Sequence, residues 1–250
     1  MILSQWLSIT LPLEENMGRV TLILLFAFGA VGRAEIIVPN VLANTEGNGN
    51  NNFPFDSTTP MRYQQVYASS QFPGEGLITQ IAFRPDGLVG LAFNVTINDI
   101  QIDLSTTAAA PDALSATFAS NVGANDTVVY NGALTLSSQD TGPAGGPKDF
   151  DIVIHLTTPF LYSPAAGNLL LDVRNVSGLP SGAAGGFDSE NLVGDSVSRV
   201  LGGINDTTAS LSDTEGLVTG FTVVPEPGTL ILLAIGLVLV LISWRLRIRT

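Results

Sequence analysis

The chain of 250 residues has no cysteine, a single histidine (His155) and a single lysine (Lys148). Without cysteine, disulfide staples, zinc–thiolate sites and thiol nucleophiles are excluded. Bases are scarce as well: 10 against 22 acids, a net charge of −12. No basic face can form to meet phosphates, so nucleic acid is excluded as a partner. Also missing are a Gly-x-Ser-x-Gly elbow, a His-Glu-x-x-His helix and a glycine-rich phosphate loop. A pair of carboxylates can cleave a glycosidic bond without histidine, but so acidic a chain always offers some pair, and composition gives that no warrant. No enzyme is expected. What is abundant is glycine (26), proline (14) and apolar residues (45%). Such a chain is too apolar for disorder and too rich in glycine for a helical bundle. Its length supports one sizeable core.

The two ends differ from the rest. Val20–Val31 reads VTLILLFAFGAV, twelve uncharged residues between Arg19 and Arg33. A membrane span needs roughly 20 apolar residues, so this run is too short to cross and has the length of a signal-peptide core. Gly32-Arg33-Ala34 supplies the small residues of a cleavage site,. Residues 1–34 are therefore expected to be a signal peptide, with the mature chain opening at Glu35. Glu14 and Glu15 put negative charge where a leader is normally positive, so Met17 is an alternative start. A buried core helix is the competing reading of the apolar run. Toward the other end, 228–244 reads GTLILLAIGLVLVLISW, followed by Arg245, Arg247 and Arg249. At 1.5 Å per residue this reaches about 25 Å, a minimal transmembrane helix with Trp244 at the interface. The flanking arginines place the tail in the cytoplasm and the body outside.

Immediately before this helix stands Val224-Pro225-Glu226-Pro227-Gly228. A Pro-Glu-Pro motif, a short apolar helix and terminal arginines, in that order, resemble the PEP-CTERM sorting signal of exported bacterial proteins. The resemblance covers residues 224–250 and implies recognition of Pro225, Glu226 and Pro227 by an exosortase, a membrane sorting protease thought to cut near the motif. These residues then belong to a substrate and not to an active site. The motif suits that role, because two prolines fix φ and remove backbone donors, leaving the segment extended and unpaired. A stiff linker ahead of an ordinary anchor is the alternative.

Residues 35–224 form the expected extracytoplasmic domain. It holds 5 bases (Arg62, Arg84, Lys148, Arg174, Arg199) and 19 acids, hence −14. Period-two alternation dominates it. Leu77, Thr79, Ile81 and Phe83 share one face of a run, and Leu91, Phe93, Val95 and Ile97 share one face of another,. Ile100, Ile102 and Leu104 alternate with Gln101 and Asp103. Thr127–Tyr130 and Ala133–Leu136 flank Asn131-Gly132, the pattern of a tight hairpin,. More strands are predicted at Phe150–Leu156, Leu169–Val173, Ser196–Leu201 and Leu217–Val223, whereas Ala108–Ala119 reads either as a short helix capped by Asp112 or as a loop. Roughly ten short strands with no convincing internal helix predict an all-β antiparallel sandwich of jelly-roll or Greek-key type.

Three constellations in this domain are candidate sites. Asp188, Glu190 and Asp195 lie in a glycine-flanked segment rich in hard oxygen ligands, suited to calcium or to a solvated turn,. Tyr63, Gln65 and Tyr67 form a stripe that stacks on sugar rings, giving an exopolysaccharide contact, or packs half-buried,. His155 is expected to be exposed on the strand face opposite Phe150, Ile152 and Ile154. The Asn-x-Ser/Thr triplets at Asn94, Asn125, Asn175 and Asn205 are accounted for by a composition rich in Asn, Ser and Thr. The expectation is an exported, membrane-tethered envelope or extracellular-matrix protein, with a carbohydrate-binding or adhesion module as the alternative. It is a single-pass protein with its body outside the cytoplasm until processing.

Overall fold

The computed structural model describes residues 33–143, 146–179, 184–225 and 236. The expected signal peptide, apart from Arg33 and Ala34, and the expected membrane helix 228–244, apart from Gly236, lie outside the described residues. So do Glu226, Pro227, Arg245, Arg247 and Arg249. Among the described residues no helix is long and apolar enough to cross a membrane.

Every strand pairing is antiparallel, and the body is all-β. The strands are β1 (Ala34–Val38), β2 (Gly49–Asn51), β3 (Met61–Tyr67), β4 (Gly76–Phe83), β5 (Phe93–Thr107), β6 (Thr127–Ser138) and β7 (Ile152–Tyr162). They continue with β8 (Asn168–Asn175), β9 (Phe187–Asn191), β10 (Val197–Gly203), β11 (Leu211–Asp213), β12 (Glu215–Leu217) and β13 (Thr219–Pro225). A four-stranded sheet runs β1-β13-β4-β7, a six-stranded sheet β11-β10-β3-β8-β5-β6 and a small sheet β12-β9-β2. The chain keeps crossing between the two larger sheets. Each turns one set of alternate side chains inward, and the two sets share one core: Ile78, Ile81 and Phe221 from the first, Tyr67, Ile102 and Leu171 from the second,. Tyr67 meets Phe221 edge-on, ring centroids 5.0 Å apart, and Phe72 lies 5.5 Å from the same phenylalanine.

Where the sequence pattern misleads, a long-range partner has overridden a local preference. Asn131-Gly132 does not turn the chain. β6 passes straight through it, with Asn131 opposite Gln101 and Gly132 opposite Ile100. Fifteen residues of β5 are long enough to pair both flanking runs, and Gly132 adopts φ +129°, open to glycine alone, where the register shifts,. The reversal from β5 to β6 is made instead by residues 108–126, an irregular segment with one 3-10 turn at Phe118–Ser120. Asp112, expected as a cap, stands in it at φ +61°. In β4 the predicted face breaks at Thr79, an extra residue against β13, so that Ile78 is buried together with Ile81 and Phe83. A shift between Ile97 and Ile100 likewise turns both isoleucines inward.

Candidate functional site

β9 carries two of the three acids expected as calcium ligands, and the structure does not gather them with the third. Asp188 is buried and forms an ion pair with Arg84 at 2.5 Å. Glu190 accepts from Asn48, backbone N–H at 3.1 Å and side-chain amide at 3.0 Å. Asp195 turns back on its own loop and accepts the Val197 N–H at 2.7 Å. Burial pushes Asp195 up to about 6, against the Val197 N–H and with help from Asp112 and Glu190. The carboxylates that do converge, among the described residues, are Glu46, Asp86 and Asp188, with ligand oxygens within 4.8 Å of one another.

At least one oxygen of each of these carboxylates is engaged by the protein itself. Glu46 accepts the Gly87 N–H at 2.7 Å, and Asp86 accepts the N–H groups of Leu88 and Val89 at 2.9 and 2.8 Å. Asp188 accepts from Gly47 with one oxygen and from Arg84 with the other. Burial raises the Asp188 carboxyl to about 7 against the pull of Arg84, while Glu46 raises it further. Arg84 is 1% exposed, donates to the Thr45 carbonyl at 2.6 Å and lies 4.9 Å over the Phe150 ring. The guanidinium therefore supplies Asp188 with its counter-ion and ties the Thr45 loop to β9,. Sequence reading missed Arg84, whose only local signal is Arg84-Pro85-Asp86. The other four bases of the body are paired too: Arg62 with Asp172, Lys148 with Asp140, Arg174 with Asp103 and Asp172, and Arg199 with Asp213 and Glu215.

The tyrosine stripe is not a ligand platform. Tyr63, Gln65 and Tyr67 are all 0% exposed. Tyr63 donates its hydroxyl to Gln65 Oε1 at 2.5 Å, and the Tyr67 hydroxyl shares a 2.9 Å hydrogen bond with Thr219. β3 is an interior strand between β10 and β8, so these rings form the floor of the core and present no face to a sugar. His155 is exposed as expected, its Nδ1 2.8 Å from Gln80 Nε2. Of the Asn-x-Ser/Thr asparagines, Asn175 is wholly buried.

The third place of interest is where the body ends. β13 is an interior strand, laddered on one side to β1 and on the other to β4. Ala34 stands opposite Val223, Leu77 opposite Val224 and Gly76 opposite Pro225. The expected leader junction and the expected sorting segment thus share one end of one sheet. Pro225 has no N–H to continue the ladder, and the strand stops there,. Gly76 is required opposite it, because a Cβ would come within 2.5 Å of Val223 Cγ1 and 2.8 Å of the Val224 carbonyl.

No curated protein and no solved structure matches the chain. A family model described as the PEP-CTERM protein-sorting motif matches residues 223–248. The match begins at Val223, inside β13, and takes in Pro225, Glu226, Pro227 and the apolar run after them. The chain is therefore one that carries a PEP-CTERM sorting motif, joined directly to the last strand of an all-β body.

Proposed function

We propose that this chain is an exported component of a bacterial envelope or extracellular matrix, tethered by its C-terminal segment and handed over by an exosortase. The body serves a structural, non-catalytic role. The observation that carries the reading is the sorting-motif match at 223–248. The fold is consistent with the role. Strands β1-β13-β4-β7 and β3-β8-β5-β6 form two four-stranded layers between which the chain passes at every step but β5 to β6, supporting a jelly-roll sandwich with β9 to β12 inserted between its last two strands,. Without cysteine, such a body stands on its packed core and not on disulfides. For a non-catalytic role, the support is that the one histidine is held by Gln80 and that all five bases of the body are spent in ion pairs.

The test is fractionation of the native host. Wild-type protein is expected in the envelope or medium at a mass lower than the precursor by both terminal segments. Replacing Pro225, Glu226 and Pro227 together by alanine should leave a precursor with its C-terminal segment intact in the inner membrane, as should loss of the exosortase. A triple variant sorted and shortened like wild type would overturn the reading.

A further inference from the structure

We infer that the turn after β4 is a rigid apolar prong, and that it docks into an apolar slot rimmed by bases on a partner protein. The inference goes beyond the sorting function, which gives the body no binding surface. Leu88, Val89 and Leu91 are 95%, 48% and 39% exposed, three large apolar side chains within four residues. Single exposed leucines are ordinary, whereas an apolar cluster kept in water in one fixed shape marks an interaction site. This cluster is fixed. Every backbone N–H from Asp86 to Gly90 has a protein acceptor: Asp86 donates to the Gly186 carbonyl, Gly87 to the Glu46 carboxylate, Leu88 and Val89 to the Asp86 carboxylate, and Gly90 to the Asp86 carbonyl. Gly90 has no room for a Cβ, which would stand 2.3 Å from the Asp86 carbonyl oxygen and 2.6 Å from Pro85 Cβ. Glu46 and Asp86 thus hold in place the turn that lifts Leu88 into solvent. A preformed prong gives up little conformational entropy when it docks. Charge selects the partner. Glu46, Asp86 and Asp188 gather behind the turn against one base, Arg84, which is buried. A second copy of the chain brings the same acidic excess and, in its body, only bases already held in ion pairs. An anionic lipid surface repels this body for the same reason. The turn also lies at the Phe83 end of β4, away from the Gly76 end at which Pro225 leaves the sheet toward the proposed tether. Aliphatic side chains offer no flat face to a sugar ring. What fits is an apolar slot for Leu88 and Val89 with lysine or arginine around it, the slot supplying affinity and the bases steering the encounter.

The experiment is a fluorescence titration with protein purified from the native host in the form in which it occurs there. Three labelled peptides of equal length serve as probes: leucine–lysine, leucine–glutamate and serine–lysine. Wild type is expected to bind the leucine–lysine peptide at least about tenfold more tightly than either of the others, and Leu88→Asn with Val89→Asn to lower that affinity by at least about tenfold. The double variant keeps every charge and every backbone acceptor of the turn, so the loss reads the apolar tip. Leu88→Asn alone repeats the measurement where the double variant does not fold. Leu192→Asn with Val193→Asn, at an exposed apolar pair on the turn between β9 and β10, should bind like wild type. Unchanged affinity in the Leu88 and Val89 variant, or an equal loss in the Leu192 and Val193 variant, would overturn the prong. Equal affinity for the leucine–glutamate peptide would overturn the basic rim. Binding to phosphatidylethanolamine–phosphatidylglycerol vesicles, or self-association in sedimentation, that disappears with Leu88 and Val89 would name another occupant and overturn the inference as well. An unprocessed chain carries the same turn, so a failure of the sorting function and a failure of the prong are seen separately.

Discussion

Asp103 shows burial and charge in open conflict. Its side chain is 1% exposed, and on β8 it faces another carboxylate, Asp172, directly across the ladder. Gln101 donates to it at 2.8 Å, whereas Arg174 approaches only to 3.7 Å. Desolvation by burial outweighs these contacts and raises the carboxyl from 3.8 to about 6, with Asp126 pushing the same way. The native state therefore binds this proton more tightly than the unfolded chain. Stability from this group is complete below about pH 4 and is lost as pH rises through about 6,. Asp103→Asn, which keeps an acceptor for Gln101 and removes the charge, should raise stability at pH 7.5 by ~2 kcal/mol and change it little at pH 4. Thermal melts across that range check it, and a variant less stable at pH 7.5 would show that the Arg174 contact dominates. Arg84 is the opposite case, a buried cation whose loss strands its partner. Arg84→Met leaves Asp188 without its counter-ion and should cost about 3–5 kcal/mol at pH 7.5. The loss should shrink as Asp188 takes up a proton at lower pH. Since both Asp188 oxygens already serve Gly47 and Arg84, and one oxygen each of Glu46 and Asp86 serves Gly87, Leu88 and Val89, adding calcium or a chelator should leave the melting temperature of the wild type unchanged. A rise of several degrees with calcium would establish a metal site in this cluster.

At the level of strands, the elements legible in the sequence are those that a run of residues decides by itself. Alternation marks β4, β5 and β7, because each has one face in the core and one largely outside it, whereas β8, β10 and β13 are marked by short apolar runs between turn residues,. Neither the partner nor the fate of the second face is written in a single run. β3 reads as a half-exposed strand, yet Tyr63 and Tyr67 line the core while Gln64 and Asp172 on the other face are covered by the segment 108–126. That segment is pinned by Phe118, 0% exposed, which lies 4.8 Å beneath the Arg62 guanidinium and whose carbonyl accepts from Gln64. Nothing in Ala108–Ala119 announces a cover. The same limit hides the through-going β6, since Asn-Gly signals a turn only while its flanking runs lack a better partner, and β5 is that partner. The sorting motif is legible for the converse reason, being read by another protein as a linear segment. Phe118→Ala should cost about 3–4 kcal/mol through the cavity it leaves. Because the cover sits over buried ionic groups, the variant should also become a target for limited proteolysis within 108–126 while the rest of the body resists. Uniform resistance matching wild type would mean that the segment is held by its hydrogen bonds and not by the ring.

For the molecule as a whole, the balance of charge sets how it responds to salt. The span 35–224 carries 19 acids and 5 bases, and each base lies within 4 Å of a carboxylate. Six of the acids share these five bases, and the excess of −14 is spread over a small body where the carboxylates repel one another,. Two effects then oppose each other as ionic strength rises. Screening weakens the ion pairs, which lowers stability, and weakens the repulsion among surface carboxylates, which raises it. The pairs are poorly placed to be screened: Arg84 and Arg199 have side chains 1% and 6% exposed, and Asp172 and Asp103 are 3% and 1% exposed. Buried pairs feel salt far less than exposed charges do, and at 0.15 M the screening length falls to about 8 Å from about 30 Å at 0.01 M, shorter than most separations across this surface. Relief of repulsion should win. Raising sodium chloride from 0.01 to 0.15 M at pH 7.5 is expected to raise the melting temperature of the body by a few degrees. The gain should be smaller at pH 4, where many surface carboxylates are protonated and less repulsion remains to be screened. A melting temperature that falls with salt at pH 7.5 would mean that the five paired bases, and not the acidic excess, govern the electrostatics of this fold.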